Sequence, residues 1–250
     1  MKLNQGLKKR FDEDGFVALP GFLSLDEVAE LRREIDRYVT EVAPRIPASE
    51  VFYEVKGRPE TLKQLQRMFE YDEWFNRFFF GERFVKLAEL LMGGAVTGRN
   101  LQWFNKPPGA SLPTPPHQDG YYFMLEPNEA VTMWLALDEV DEENGCVRYV
   151  SGSHRRGLRG HQKTSTLGFS QGITDYRDED RKQEAVMIAR PGDLLAHHAL
   201  TIHRADANVS GRTRRALGFI YYSSAAREDS ARKAAYQQAI AAEWVKEGKL

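Results

Sequence analysis

The chain has 250 residues, 42% of them hydrophobic and 28% charged, a balance that suits one globular domain with a substantial core. Its formal net charge of -1 gives no global attraction to nucleic acid or to an anionic membrane surface, so any charged partner must be met by a local patch. Cys146 is the sole cysteine, which excludes an intrachain disulfide and suits a reducing, cytoplasmic setting.

The opening MKLNQGLKKRFDEDG lacks the apolar run of a signal peptide, and the apolar stretch from Trp74 to Met92 is broken by Arg77, Glu82, Arg83, Lys86 and Glu89. No membrane span is expected. The last residues, Gly248-Lys249-Leu250, differ from the peroxisomal Ser-Lys-Leu signal at the first position and read as a helix tail. Phe11 to Leu23, around Gly15, Pro20 and Gly21, reads as a strand entering a turn. A helix then begins at the capping box Ser24-Leu25-Asp26-Glu27, with Val28, Leu31, Ile35, Tyr38 and Val42 at helical spacing until Pro44. Leu62, Leu65 and Phe69 suggest a second helix, and Glu82 to Met92 a third that stops at Gly93-Gly94. Residues 24–94 are thus expected to be mainly helical.

From Gly98 strands dominate. Asn100 to Lys106, Ala130 to Leu137, Cys146 to Val150, Ala185 to Ala189, Leu194 to His203 and Arg215 to Tyr222 each read as one. Arg155 to Glu184 is polar and long for a connection, which makes it a functional lid or an insertion. Its Arg155, Arg156, Arg159, His161 and Lys163 could meet an anion, although Asp175, Asp178, Glu179 and Asp180 follow and favour a solvated loop. Asp229 to Glu247 is Ala-rich and reads as a helix. Short, closely spaced strands after a helical lead argue for a jelly-roll barrel over about residues 98–222, with helices outside, and against a parallel sheet.

The chemistry centres on Pro115-Pro116-His117-Gln118-Asp119-Gly120. In an extended segment His117 and Asp119 project the same way and Gln118 turns aside. A second His brought alongside would complete two imidazoles and one carboxylate on one face of an octahedral ion, the arrangement of non-heme Fe(II) oxygenases. His197, His198 and His203 lie near the far end of the chain. His198 and His203 face opposite ways in a regular strand, so only one of them joins His117 and Asp119 easily, and spacing does not choose between them.

Several ordered motifs resemble the phytanoyl-CoA dioxygenase family of Fe(II)/2-oxoglutarate oxygenases. They are Asp14-Gly15-Phe16-Val17, Pro20-Gly21-Phe22, His117-Gln118-Asp119, Asn144 through His154, and Pro191-Gly192-Asp193 through His203 to Asn208 and Arg214. The resemblance implies a double-stranded β-helix with His203 as the third iron ligand. It also implies that Arg214 binds the distal carboxylate of 2-oxoglutarate, that Gln102 and Trp134 line the same pocket, and that Lys63 matches a further position there. It departs at Ala205, where relatives often carry a small hydroxyl residue, so one co-substrate hydrogen bond is missing or replaced. A guanidinium suits this role independently, because its planar fork grips a carboxylate bidentately.

The expected reaction is hydroxylation of an unactivated C–H of a small organic substrate, consuming O2 and releasing succinate and CO2. Tyr121, Tyr122, Arg148 and the segment from Arg155 are the candidates for substrate contact. A radical halogenase would replace the carboxylate ligand, and Asp119 is present. A non-redox cupin-like metalloenzyme could use His117, His198 and His203, whereas a catalytically inactive jelly-roll binding module would not need His117, Asp119, His203 and Arg214 intact. The pattern fixes neither the substrate nor the oligomeric state.

Overall fold

The computed structural model describes residues 5–109, 111–163 and 171–246. Helix α1 (Gln5–Asp14) buries Leu7 and Phe11, four apart on one face, and Gly15, at φ +84°, turns the chain into strand β1 (Phe16–Leu19). Phe11 therefore belongs to a helix, and the expected strand begins only at Phe16. The capping box forms as read: Glu27 N donates to Ser24 Oγ at 3.3 Å and Ser24 N to Glu27 Oε2 at 2.8 Å, opening α2 (Leu25–Arg37).

The second expected helix is corrected. Leu62 and Leu65 lie in strand β3 (Leu62–Leu65), which pairs with β2 (Val51–Tyr53) and is buried at every position. A strand covered on both faces shows no alternation, so its apolar spacing imitates a helix. Phe69 sits beyond it in the single turn α3 (Met68–Tyr71), ahead of α4 (Glu73–Phe79). Helix α5 (Glu82–Met92) ends at Gly93 in the left-handed conformation, as the Gly-Gly stop predicts.

Strand β4 (Val96–Lys106) begins the barrel, followed by β5 (Thr114–His117), the turn α6 (Gly120–Phe123), β6 (Leu125–Glu126), β7 (Ala130–Ala136) and β8 (Val147–Val150). The long connection carries the paired strands β9 (His161–Lys163) and β10 (Gln171–Ile173) and the short helix α7 (Asp178–Lys182). Residues 164–170 of the anticipated lid lie outside the described residues. Then come β11 (Glu184–Met187), β12 (Leu194–His198), β13 (His203–Ala205), β14 (Arg214–Ser223), β15 (Arg227–Glu228) and α8 (Ser230–Lys246). The anticipated end of that helix at Glu247, and the Gly248-Lys249-Leu250 tail, fall outside the described residues.

Two sheets face each other: β1-β12-β7-β14-β4-β3-β2 and β11-β8-β13-β5. This is the double-stranded β-helix, with two strands of the helical lead, β2 and β3, extending its larger sheet. The outer face of that sheet packs Leu101, Met133, Leu135, Leu217 and Phe219 against Leu31, Ile35, Phe84 and Leu87 of the helices, all buried. The inner face carries Trp134, Leu195 and Ala216 toward Val147 and Tyr149 of the smaller sheet. Between the sheets, toward one end, the core opens into a cavity of about 670 Å³.

The expected strand from Leu194 to His203 is broken. β12 pairs with β1 and β7 in the larger sheet, whereas β13 pairs with β5 and β8 in the smaller one. The chain crosses at Ala199–Ile202, held by Thr201 Oγ1 on the Gly15 carbonyl at 2.7 Å and by Ile202 N on Ser153 Oγ at 2.9 Å. Strand parity between His198 and His203 is thereby lost, because the two residues belong to different sheets.

Candidate active site

His203 lies directly across the ladder from His117 on one side and Tyr149 on the other. The two imidazole centroids are 4.1 Å apart. Each ring presents Nδ1 to a carbonyl two residues upstream, His117 to Pro115 at 2.8 Å and His203 to Thr201 at 3.0 Å. These carbonyls require the hydrogen on Nδ1 and leave Nε2 as the basic nitrogen, the tautomer a metal-ligating imidazole needs.

Asp119 completes the group. It stands at the start of α6 in the helical region, not in an extended strand as expected, and its Oδ1 lies 3.5 Å from His117 Nε2 and 3.6 Å from His203 Nε2. Ligand atoms of His117, Asp119 and His203 all fall within 4.8 Å of one another, so the three could hold one metal ion. The turn that places Asp119 is tight because Asn128 donates to the Gly120 carbonyl at 2.9 Å, and a Cβ on Gly120 would meet the Asn128 side chain at 2.6 Å.

The other oxygen of Asp119 is restrained from the opposite sheet. Thr132 Oγ1 donates to Oδ2 at 2.7 Å, and His197 Nε2 donates to it at 3.0 Å while its Nδ1 accepts from Tyr149 Oη at 3.0 Å. Thr132 and His197 are cross-strand partners on β7 and β12. Burial acts to raise the Asp119 carboxyl, but the surrounding imidazoles and the His197 hydrogen bond outweigh it and hold the acid well below its usual range. Burial and the neighbouring rings of His117 and His197 push His203 the other way, toward the neutral form. An anionic carboxylate beside a neutral imidazole is the protonation state for metal binding.

His197 was noted in the sequence but assigned no part in the site. Its signal is parity: on β12 it alternates with Leu195, whose side chain packs between the sheets, and so it shares their inner face. His198 points the other way, with Nε2 3.1 Å from Glu129 Oε2, so the ligand set His117, His198 and His203 is not assembled.

Further along the cavity Arg214 is 4% exposed, with its guanidinium 5.2 Å from the Trp134 ring centroid. Its Nε has no hydrogen-bond partner, and among the described residues no carboxylate lies within ion-pairing distance. Burial lowers it to about 10. A buried cation without a counter-ion, opening on the cavity that holds the metal group, fits an anionic co-substrate. Gln102, Trp134 and Lys63 line the same cavity; Gln102 Oε1 accepts from Gln64 at 3.0 Å, and Lys63 is paired with Glu54 at 3.2 Å.

Two expected substrate contacts are corrected. Arg148 alternates with the cavity-lining Val147 and Tyr149, so it faces outward, where it pairs with Glu142 at 2.6 Å and Asp206 at 3.1 Å. Tyr121 stacks on His161 at 4.4 Å instead of lining the cavity, while Tyr122 does line it. The basic cluster of the long connection is largely paired internally, Arg159 with Asp175 and Asp180 at 2.7 Å each and Arg156 with Asp180 at 3.4 Å. Gln118, which the strand reading merely turned aside, is fully buried; it donates to the carbonyls of Gly157 and Leu200 at 2.9 and 2.7 Å and accepts from Arg159 N at 2.8 Å.

Two facing antiparallel sheets with a His-Asp-His group and a buried arginine between them define the class of iron- and 2-oxoglutarate-dependent oxygenases. The sequence profile of the family "Phytanoyl-CoA dioxygenase (PhyH)" matches residues 11–216, and the chain belongs to that family. Peroxisomal phytanoyl-CoA dioxygenase of Rattus norvegicus is 28% identical over 232 residues, spanning 87% of this chain and 68% of the relative. A probable alpha-ketoglutarate-dependent hypophosphite dioxygenase of Stutzerimonas stutzeri is 25% identical over 224 residues, 87% of this chain and 78% of that one. Among solved structures, the epimerase SnoN in complex with Fe3+, alpha ketoglutarate and nogalamycin RO superposes with a TM-score of 0.72 at 27% identity, over 90% of this chain and 85% of that one. This protein is accordingly a 2-oxoglutarate-dependent dioxygenase that uses iron and 2-oxoglutarate. No described helix is long and apolar enough to cross a membrane.

Proposed function

We propose that the enzyme hydroxylates an unactivated C–H of a small organic substrate, with His117, Asp119 and His203 holding the iron and Arg214 the distal carboxylate of 2-oxoglutarate. The observation that carries this reading is the pairing of a compact His-Asp-His group with a buried guanidinium that has no counter-ion among the described residues, in one cavity. Bound iron and 2-oxoglutarate would supply the activation of O2, with succinate and CO2 as co-products.

The chain's own part is positional. Thr132 and His197 occupy Asp119 Oδ2 and so direct Oδ1 toward the two imidazoles, which favours a carboxylate that binds through one oxygen. Arg214, lying over Trp134, orients the co-substrate, with Gln102 beside it and Lys63 at the same end. Thr114 is the register partner of Ala205 and lines the cavity, so it can provide the hydroxyl that the position of Ala205 lacks. At the other end Tyr122, Phe123, Ile220 and Tyr222 form an apolar and aromatic wall, with Arg99 and Lys233 near its rim. That wall suits a substrate with a sizeable apolar body, which it would hold while excluding water.

Anaerobic titration of the metal-free chain with Fe(II) and then 2-oxoglutarate tests the reading. The weak visible charge-transfer band of the chelate is expected, followed by substrate-stimulated succinate release from a panel of small acids, phosphonates and thioesters, with hydroxylated product identified by mass. Failure of the band to form with metal confirmed bound would sink the co-substrate assignment, and succinate release without an oxygenated product would sink hydroxylation.

A further inference from the structure

The end of the cavity around Arg214 holds more positive charge than its neighbours neutralise. Arg214 on β14 and Lys106 on β4 are direct register partners, and they are only 4% and 5% exposed. Like charges opposite one another on a sheet repel, and burial strips each of hydration. Lys63 adds a third buried cation from β3, but Glu54 lies 3.2 Å from its ammonium. Among the described residues Lys106 has no carboxylate within ion-pairing distance; its Nζ donates to the Leu112 carbonyl at 2.6 Å.

The other ionisable groups nearby are already engaged or uncharged. Asp206 is bound by Arg204 at 2.5 Å and by Arg148 at 3.1 Å, and Asp138, near Arg214, is bound by Arg215 at 2.9 Å. Burial pushes the Cys146 thiol up and keeps it protonated. Lys106 therefore faces Arg214, Lys63, Glu54 and Asp206, and burial, then Arg214, then Lys63 lower it to about 6, against the weaker pull of the two acids. A neutral amine at Lys106 relieves the repulsion until an anion arrives.

We propose that Lys106 is a second cation for the distal carboxylate of 2-oxoglutarate, opposite Arg214, and that it takes up a proton from solvent when the co-substrate binds. The proposal rests on the co-substrate reading given above. No covalent bond to the ligand forms; a neutral amine and a solvent proton become an ammonium paired with a carboxylate. Proton linkage then makes 2-oxoglutarate affinity fall as pH rises above about 6, by up to about tenfold per unit.

The test is calorimetric titration of 2-oxoglutarate into the full chain loaded with Mn(II), in buffers of different ionisation enthalpy at about pH 7.5. About one proton per bound 2-oxoglutarate is expected. Lys106→Arg, with a fixed charge, should bind 2-oxoglutarate with that uptake and most of the pH dependence removed; Lys106→Met should bind more weakly, also without uptake; Lys63→Met should retain it. Binding to the wild-type chain without proton uptake, or uptake that persists in both Lys106 variants, overturns the proposal. Absence of 2-oxoglutarate binding to the metal-loaded wild-type chain overturns the co-substrate reading itself and this proposal with it, whereas binding without uptake leaves that reading standing.

Discussion

At the scale of single residues, the sharpest prediction separates two histidines and an arginine. His203→Ala should abolish Fe(II) binding, whereas His198→Ala, whose ring turns toward Glu129, should retain it. Arg214→Ala should keep the metal but weaken 2-oxoglutarate by about 2–5 kcal/mol, the cost of truncating a buried charged partner. Equilibrium metal titration and 2-oxoglutarate binding read these separately. A finer prediction concerns Asp119: Thr132→Val and His197→Phe should each lower Fe(II) affinity about 10–100-fold, as loss of a partner that orients a ligand does elsewhere. Competition against a metal chelator would measure it, and unchanged affinity in both variants would remove the orienting role. The grouping of His117, Asp119 and His203 was legible because five motifs stand in a recognisable order. His197 was hidden because its part follows from which face of β12 it occupies, and that parity could be used only once the break after His198 was known. Arg148 misled for a related reason: its motif adjoins the site, but the pleat turns it to the outer face.

At the scale of elements, the crossover Ala199–Ile202 is what brings His203 to His117, and Gln118 is one of the pieces that hold it. Its amide ties the metal loop to the Leu200 carbonyl and to the start of the long connection at Gly157 and Arg159. Gln118→Leu should destabilise the fold by about 2–4 kcal/mol, because it leaves buried backbone groups unsatisfied on both neighbours. Chemical denaturation of the metal-free protein would show it, and a change below about 0.5 kcal/mol would mean that the neighbours re-pair. Most strands from β4 to β14, and the helices α2 and α5, were readable from alternation, caps and glycine stops. β3 was not, since it is buried on both faces, and neither was the sheet switch at 199–202, which has no Pro or Gly to punctuate it.

For the molecule as a whole, acid should loosen the smaller sheet and the long connection together. Burial would raise the carboxyls of Asp180, Glu184 and Asp206, but the guanidiniums of Arg159 and Arg204 hold all three below their ordinary values. Groups with depressed folded-state values add stability above the unfolded carboxylate range of about 4, and that stability is lost as pH falls through the folded values. The midpoint of thermal unfolding should therefore drop between about pH 5 and pH 3, and Arg204→Met should flatten the drop; an unaltered slope would show that these pairs do not govern acid sensitivity. The cavity has a second whole-molecule property. Its His-Asp-His group comes from β5, the start of α6 and β13, whereas Lys233 and Tyr236, which line the same cavity, come from α8, widely separated in sequence. The proposed metal-holding and substrate-facing parts are thus separable as coding segments. On the proposed reading, exchange of roughly residues 227–246 among relatives would redirect which molecule is accepted while the oxidising machinery is inherited unchanged, a route by which one scaffold can diversify without rebuilding its chemistry.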